Sequence, residues 1–226
     1  MNNLLVVCET IQDEVTKVLE KVEFTGDMVW MNASLHNEPS RLRSELQKVI
    51  DNHIGYDNVL LGYGNCGNSI VGLKATHSNI VFPVTSDCIS MLLCNRKDID
   101  DIRKNTYFLT KGWINGEKSL FVEYKYCLER YGEKRAKRIF SAMLKHYENL
   151  MLIDTNAYDI DYYGDIAQDL AKKTSLRFVV EEGSLSILEK LLSEKWDESF
   201  EIIKPGEQII YKHFGQIAVD EMSQRF

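Results

Sequence analysis

Four short apolar runs in this chain each give way to a side chain that binds soft metals. Leu4–Val7 ends on Cys8, Met28–Ala33 stops just short of His36, Val59–Leu61 leads into a glycine turn holding Cys66, and Ile80–Val84 runs up to Asp87-Cys88. Thiolate and imidazole are the donors that Zn²⁺ and other thiophilic ions prefer; three protein ligands with an open position make a catalytic site, four a closed one. Iron, alone or as an iron–sulfur cluster, would use the same thiolates. The four residues are widely separated, unlike the paired CxxC of a zinc ribbon. Such separation suits ligands delivered one per strand end to a common crevice. The competing reading makes Cys8 and Cys88 small buried hydrophobes, which cysteine often is, and leaves His36 at the surface. Cys94 and Cys127, inside helical apolar patterns, fit that reading more directly.

The stretch Gly62-Tyr63-Gly64-Asn65-Cys66-Gly67 matches GxGxxG, and Asp87 follows about 20 residues later, as in a dinucleotide fingerprint. If a helix starts after this turn, Cys66 lies at its positive end, where a thiolate is favoured and can ligate or attack. Gly62, Gly64 and Gly67 would otherwise cradle a nucleotide or S-adenosylmethionine. Asp87 suits a helix cap, an orienting partner for a ligand, or a base. Tyr63, Trp113 and Asp154 are candidates for shaping the cleft. His53, His77, His146 and His213 lack any strand-end setting and read as surface residues.

The elements that must position these groups alternate. Leu4–Val7 feeds an amphipathic helix over Glu9–Glu20, Met28–Ala33 precedes a helix announced by Pro39, and Val59–Leu61 precedes a brief helix over Asn68–Lys74. Ile80–Val84 precedes a buried helix over Asp87–Cys94. Strands alternating with helices imply an α/β fold, a mostly parallel sheet with helices on both faces, whose ligands gather beyond the carboxyl ends of the strands. Further along, Thr106–Gly112 reads as a short edge excursion and Ser119–Tyr147 as a long helical pattern that Gly132 interrupts. Asn149–Asp154 is a strand, Asp161–Lys173 a helix, Arg177–Val180 and Ser184–Leu192 another strand–helix unit, and Phe200–Ile203 with Gln208–Tyr211 a closing hairpin. No linker or repeat divides the chain; one domain over 1–226 is expected, with lobes 1–105 and 106–226 around a strand-end cleft if it is split.

At 226 residues the chain can bury a sizeable core. Its net charge of −7 argues against a nucleic-acid binder, which usually carries a basic stripe. The local cluster Lys134, Arg135, Lys137 and Arg138 reads as a solvated helix face. The opening residues lack a basic n-region, and no apolar run nears the ~20 residues that span a bilayer. Five cysteines, an odd number, do not suggest a disulfide framework. A cytoplasmic protein is expected.

The segments Leu60–Asn68, Val71–Ala75, Phe82–Leu93 and Tyr107–Trp113 resemble the domain-of-unknown-function family 1638 of bacteria and archaea. The likeness extends to Cys8, Leu35–Pro39, Glu182–Ser184, Leu191-Leu192, Trp196 and Lys204–Gly206. The family usually carries His immediately before the Asp-Cys pair, where this chain has Ser86, so no role of that His carries over. The resemblance implies an association with corrinoid-dependent methyl transfer. The expectation is a zinc-binding protein using Cys8, His36, Cys66 and Cys88, working as a methyltransferase with a small-molecule substrate or a corrinoid protein. The alternatives are a non-catalytic metal or cofactor carrier or sensor, and the nucleotide-binding enzyme.

Overall fold

The computed structural model describes residues 1–215, in two compact units. The first holds Met1–Leu92 and the chain from Leu185 onward; the second holds Leu93–Ser184. The expected division into 1–105 and 106–226 is therefore replaced by an insertion. The reason is a late return: the last strand comes back to pair with the first unit's sheet.

In the first unit, β1 (Asn3–Cys8), α1 (Gln12–Leu19), β2 (Gly26–Met31), α2 (Pro39–Asn52), β3 (Asn58–Gly62), β4 (Asn79–Pro83) and α3 (Cys88–Leu92) follow in order. Glu9–Ile11 and Ala33–Asn37 are 3-10 turns that lead into α1 and α2. Pro39 stands in the first turn of α2, where its missing N–H costs nothing. The second unit adds α4 (Ile99–Ile102), β5 (Thr106–Leu109), α5 (Lys111–Asn115), α6 (Leu120–Tyr131), α7 (Glu133–Met143), β6 (Asn149–Asp154), α8 (Ile160–Thr174) and β7 (Arg177–Glu182). Gly132, at φ 74°, separates α6 from α7. The chain then re-enters the first unit through α9 (Ser186–Leu192) and β8 (Phe200–Ile203).

The first sheet has the order β2-β1-β3-β4-β8, parallel throughout except for β8, which runs antiparallel to β4. The expected hairpin of Phe200–Ile203 with Gln208–Tyr211 does not form. Instead β8 pairs with β4, and Gln208 makes an isolated bridge to Lys74. Leu4, Val6, Val59, Leu61, Ile80 and Phe82 share a core with Leu42, Leu46 and Ile50 of α2. Side chains alternate along a strand, and Leu5, Val7, Leu60 and Val81, of the opposite parity, are buried as well. Their face is served by α9, which meets α1, α3, β3 and β4.

A row of polar side chains fixes the register of this sheet. Asn3, Asn58 and Asn79 lie side by side on β1, β3 and β4. Asn58 Nδ2 donates to Asn3 Oδ1 at 2.9 Å, Asn79 Nδ2 to Asn58 Oδ1 at 2.9 Å, and Asn3 Nδ2 to Glu194 Oε1 at 2.6 Å. A slip of any strand would strand these buried amides.

The second sheet, β5-β6-β7, is parallel and runs in sequence order. It too has a row at its first residues: Asn149 Nδ2 donates to Thr106 Oγ1 at 3.3 Å, and Arg177 Nε to Asn149 Oδ1 at 2.9 Å. Leu109, Leu150 and Leu152 pack with Tyr124, Phe140, Ala167 and Leu170 of its helices. Among the described residues, no helix is long and apolar enough to cross a membrane.

Candidate functional site

In the first sheet the strand order reverses between β1 and β3, because the chain passes from β1 outward to β2 and then back across β1 to β3. A reversal of this kind opens a crevice at the carboxyl ends of the two strands, since their connections depart to opposite faces. Cys8 is the last residue of β1, and Tyr63 and Cys66 follow β3 directly. Cys88 opens α3, after β4.

The link after β3 is not the expected helix. Cys66, Gly67 and Asn68 take φ values of 46°, 67° and 67°, three consecutive residues in the left-handed region. For residues with a Cβ this costs roughly 1–2 kcal/mol each. Asn tolerates the region better than most, and the Asn65-Cys66-Gly67-Asn68 composition was the available signal for such a turn.

The turn is held from three sides. Asn65 Nδ2 donates to Asn68 Oδ1 at 2.7 Å; the Asn65 and Cys66 amides donate to the Thr85 and Ser86 carbonyls at 2.8 and 2.7 Å. From α2, Arg43 Nη2 donates to the Asn68 carbonyl at 2.5 Å. Gly64 is indispensable to this lacing: a Cβ there would lie 2.6 Å from the Asp87 amide nitrogen and 2.7 Å from the Thr85 carbonyl oxygen.

The absence of a helix changes the electrostatics expected at Cys66. No helix dipole favours its thiolate; burial pushes the thiol well above its ordinary range, and the neighbouring Cys88, Asp87 and Cys8 push it further. The Cys88 amide N–H, donating to the Cys66 sulfur, offsets part of this. The dinucleotide reading loses its anion site for the same reason, since a pyrophosphate is met there by a helix N-terminus. Cys8 is also raised, by burial first, against hydrogen bonds from Thr10, whose Oγ1 donates to the sulfur at 3.1 Å. Nothing in the sequence singled out Thr10.

Tyr63 is 3 % exposed, and the Cys8, Cys66 and Cys88 thiols all act on its hydroxyl. Burial and those thiols hold the phenol well above its ordinary range. Its hydroxyl donates toward the Cys8 sulfur, which helps to hold the phenol protonated. Cys8 and Tyr63 belong to the same core cluster, with Cys66 packed against it.

The remaining predicted residues are placed differently. Asp87 caps α3, its Oδ1 accepting from the Ser90 amide at 2.8 Å. His36 lies in the 3-10 turn before α2, and its imidazole is lowered by burial, against a hydrogen bond that it donates to the Ala33 backbone carbonyl. Cys94 lies beyond the end of α3 rather than inside it, and Cys127 is buried in α6. Trp113 and Asp154 belong to the second unit. There Trp113 lies in α5, capped by Thr110, and the Asp154 Oδ1 accepts from the Asn156 amide at 2.9 Å, closing its own loop.

The sulfur atoms come from separate strand ends, and two of them accept hydrogen bonds, Cys8 from Thr10 and Cys66 from the Cys88 backbone. Among the described residues, no group of three or more His, Cys, Asp or Glu side chains is placed so that it could hold a metal ion.

The fold is mixed α/β, and its mostly parallel first sheet carries Cys8 and Cys66 at the ends of the two strands between which its order reverses. The chain belongs to the family described as "Protein of unknown function (DUF1638)", which matches residues 30–192 and so includes Cys66 and Cys88 but not Cys8. No curated protein and no solved structure matches the chain.

Proposed function

We propose that the first unit binds a thiophilic metal, zinc in the first instance, through Cys8, Cys66 and Cys88, and that the site serves methyl transfer in the cytoplasm. What supports this reading is that Cys8 ends β1, Cys66 follows β3 and Cys88 opens α3 after β4, so three thiols follow neighbouring strands of the sheet whose order reverses at β1 and β3. Left to themselves, buried thiols resist ionisation, and each thiolate would make the next harder to form. A divalent cation among them inverts that balance. Binding would draw the sulfurs together and release their protons, with Thr10 and the Cys88 amide already directed at two of them.

Three sulfur ligands leave a position for substrate. Zinc there would keep a substrate thiol deprotonated at neutral pH while its sulfur stays nucleophilic. The methyl donor in this reading is a methyl-corrinoid carried by a partner protein: the S–CH₃ bond forms as the Co–CH₃ bond breaks, and the electron pair remains on cobalt. Asp87 is assigned a positioning role, holding Cys88 at the start of α3 through its cap. A closed carrier or sensor would need His36 as fourth ligand.

The test is elemental analysis by plasma mass spectrometry, with an absorbance spectrum, on protein purified without air or added metal. The expected result is near-stoichiometric zinc in the wild type and its loss in Cys66→Ala. Equal metal in both, or none in either, overturns the site. Thioether formation from methylcobalamin and a small thiol, dependent on Cys66, then tests the chemistry.

A further inference from the structure

The second sheet stops at β7, which pairs with β6 on one side and with no other strand among the described residues. The hydrogen bonds show which groups this leaves. The Arg177 amide donates to the Glu148 carbonyl at 2.9 Å and the Gly183 amide to the Asp154 carbonyl at 2.7 Å, so the odd-numbered residues of β7 turn their backbone groups toward β6. Alternation along the strand directs the N–H and C=O of Phe178, Val180 and Glu182 outward, along the free edge. Proteins commonly blunt such an edge with lysine, proline or a bulge. The sequence Arg177-Phe-Val-Val-Glu-Glu182 has neither residue, and its register with β6 runs unbroken. Val180 is 47 % exposed, and Phe178 and Val179 are half-buried. Charge stands only toward the two ends and is opposite in sign, Arg177 at the start and Glu181 with Glu182 at the finish. An antiparallel copy of the same strand sets each start against the other's finish.

We propose that β7 pairs antiparallel with β7 of a second copy of this chain, joining two three-stranded sheets into one of six strands about a two-fold axis at Val179. This edge belongs to the second unit and owes nothing to the thiols of the first. A two-fold axis perpendicular to the sheet keeps each side chain on its own face, so opposed residues share parity. Two registers then bring the outward groups together. One centres on Val180 and sets Phe178 and Val179 against the partner's Glu182 and the partner's Glu181. The other centres on Val179, sets Phe178 against the partner's Val180, and sets Arg177 against the partner's Glu181. The second is selected, because it covers apolar groups with apolar groups and places an opposite-charge pair on each side of the axis. Each Phe178–Val180 pair exchanges both backbone hydrogen bonds. Arg177 is exposed and uses Nε on Asn149, leaving its Nη groups for a partner. Glu181 is paired with Arg96 through Oε1 at 2.7 Å, and a carboxylate accepts more than one guanidinium.

The experiment is sedimentation velocity on the full chain up to about 100 μM, with wild type, Arg177→Glu, Glu181→Arg and an equimolar mixture of the two variants. Thermal melts of each protein report folding. Wild type is expected to dimerise within this range. Each variant alone sets like charges across both pairs and should associate about 10-fold more weakly or less. The mixture should regain the dimer, because Glu at 177 of one copy then meets Arg at 181 of the other. Val180→Pro removes an outward N–H that β6 does not use, and is expected to be monomeric with a melt near that of wild type. It carries the test if a charge variant fails to fold. A wild type that stays monomeric overturns the pairing, as do folded charge variants that dimerise like wild type, a mixture of folded variants that stays monomeric, or a dimeric Val180→Pro.

Discussion

The two sheets of this protein are built alike at one end and differently at the other. Each parallel set begins with a row of hydrogen-bonded side chains, Asn3-Asn58-Asn79 in the first and Thr106-Asn149-Arg177 in the second. At the carboxyl ends the first sheet presents Cys8, Tyr63 and Cys66 around a strained turn, whereas the second ends in Thr110, Asp154 and Gly183, closed by caps and local turns. Only the first sheet reverses its strand order. The lesson is that strand-end position alone does not make a site. The reversal of strand order is what sets the first sheet's carboxyl edge apart.

Glycines at the two edges offer the sharpest way to break the comparison. Gly64→Ala places a Cβ against backbone that cannot turn aside and should destabilise by on the order of 3 kcal/mol. Gly183→Ala meets the stiff Cγ2 methyl groups of buried Ile153 and Thr155 at 2.7 and 2.9 Å rather than backbone, and should cost less, about 2 kcal/mol. Denaturant melts giving equal losses would mean the two edges are equally tight.

The polar rows come next. Asn58→Ala leaves both Asn3 and Asn79 without their shared partner and should cost about 2 kcal/mol. Asn149→Ala should cost about half as much, because exposed Arg177 can turn to water. If hydrogen exchange finds the second sheet loosened more than the first, the rows are not equivalent devices.

Cysteine substitutions separate packing from ligation. Cys127→Ala removes a small buried group from the second unit's helices and should cost about 1 kcal/mol with no change in metal content. Cys66→Ala should abolish metal content with less effect on the metal-free melt, because the turn's bracing comes from Asn65 and Arg43. Metal lost on Cys127→Ala would erase the distinction between the two units.

The smallest effect is a pH dependence that both units share. Asp197, paired with Lys190 and accepting from Ser199, is held well below the ordinary carboxylate range; Asp98, paired with Arg96, is lowered in the second unit. A depressed carboxyl adds stability above its unfolded value and loses it as pH falls through the folded one. Asp197→Asn and Asp98→Asn should therefore melt slightly below wild type at pH 7, with the gap shrinking below about pH 4. A gap that widens in acid would reverse the sign and refute the pairing.

Much of this arrangement was legible in the sequence because it depends on local pattern. The strand Asn149–Asp154 was read to the residue, since an apolar run ends abruptly at a polar loop, and the interruption at Gly132 and the capping by Asp87 follow from residue chemistry alone. The strand ends carrying Cys8 and Cys66 came from the same pattern. What was not legible depends on partners distant in the chain. The return of β8 to β4 needs a neighbour that no local window contains, and so does the division at Leu92 and Leu185. The left-handed turn at Cys66 was masked by the GxGxxG spacing, whose glycines serve here for close approach and positive φ rather than for phosphate. Arg43 and Thr10 could be assigned only once α2 and β1 were placed beside their targets.

The insertion of the second unit sets an order of assembly. Leu93–Ser184 is continuous, and its parallel strands lie in sequence order, so it can close on its own residues as it leaves the ribosome. The first unit cannot. Cys8, Cys66 and Cys88 have all been synthesised before the insertion begins, yet α9 and β8, which cover and complete that sheet, emerge only after the whole of it. Closing so long a loop makes the first unit the slow step of folding. Until then the first sheet stands unfinished with β4 as an open edge, the interval in which a stalled chain is most exposed to aggregation.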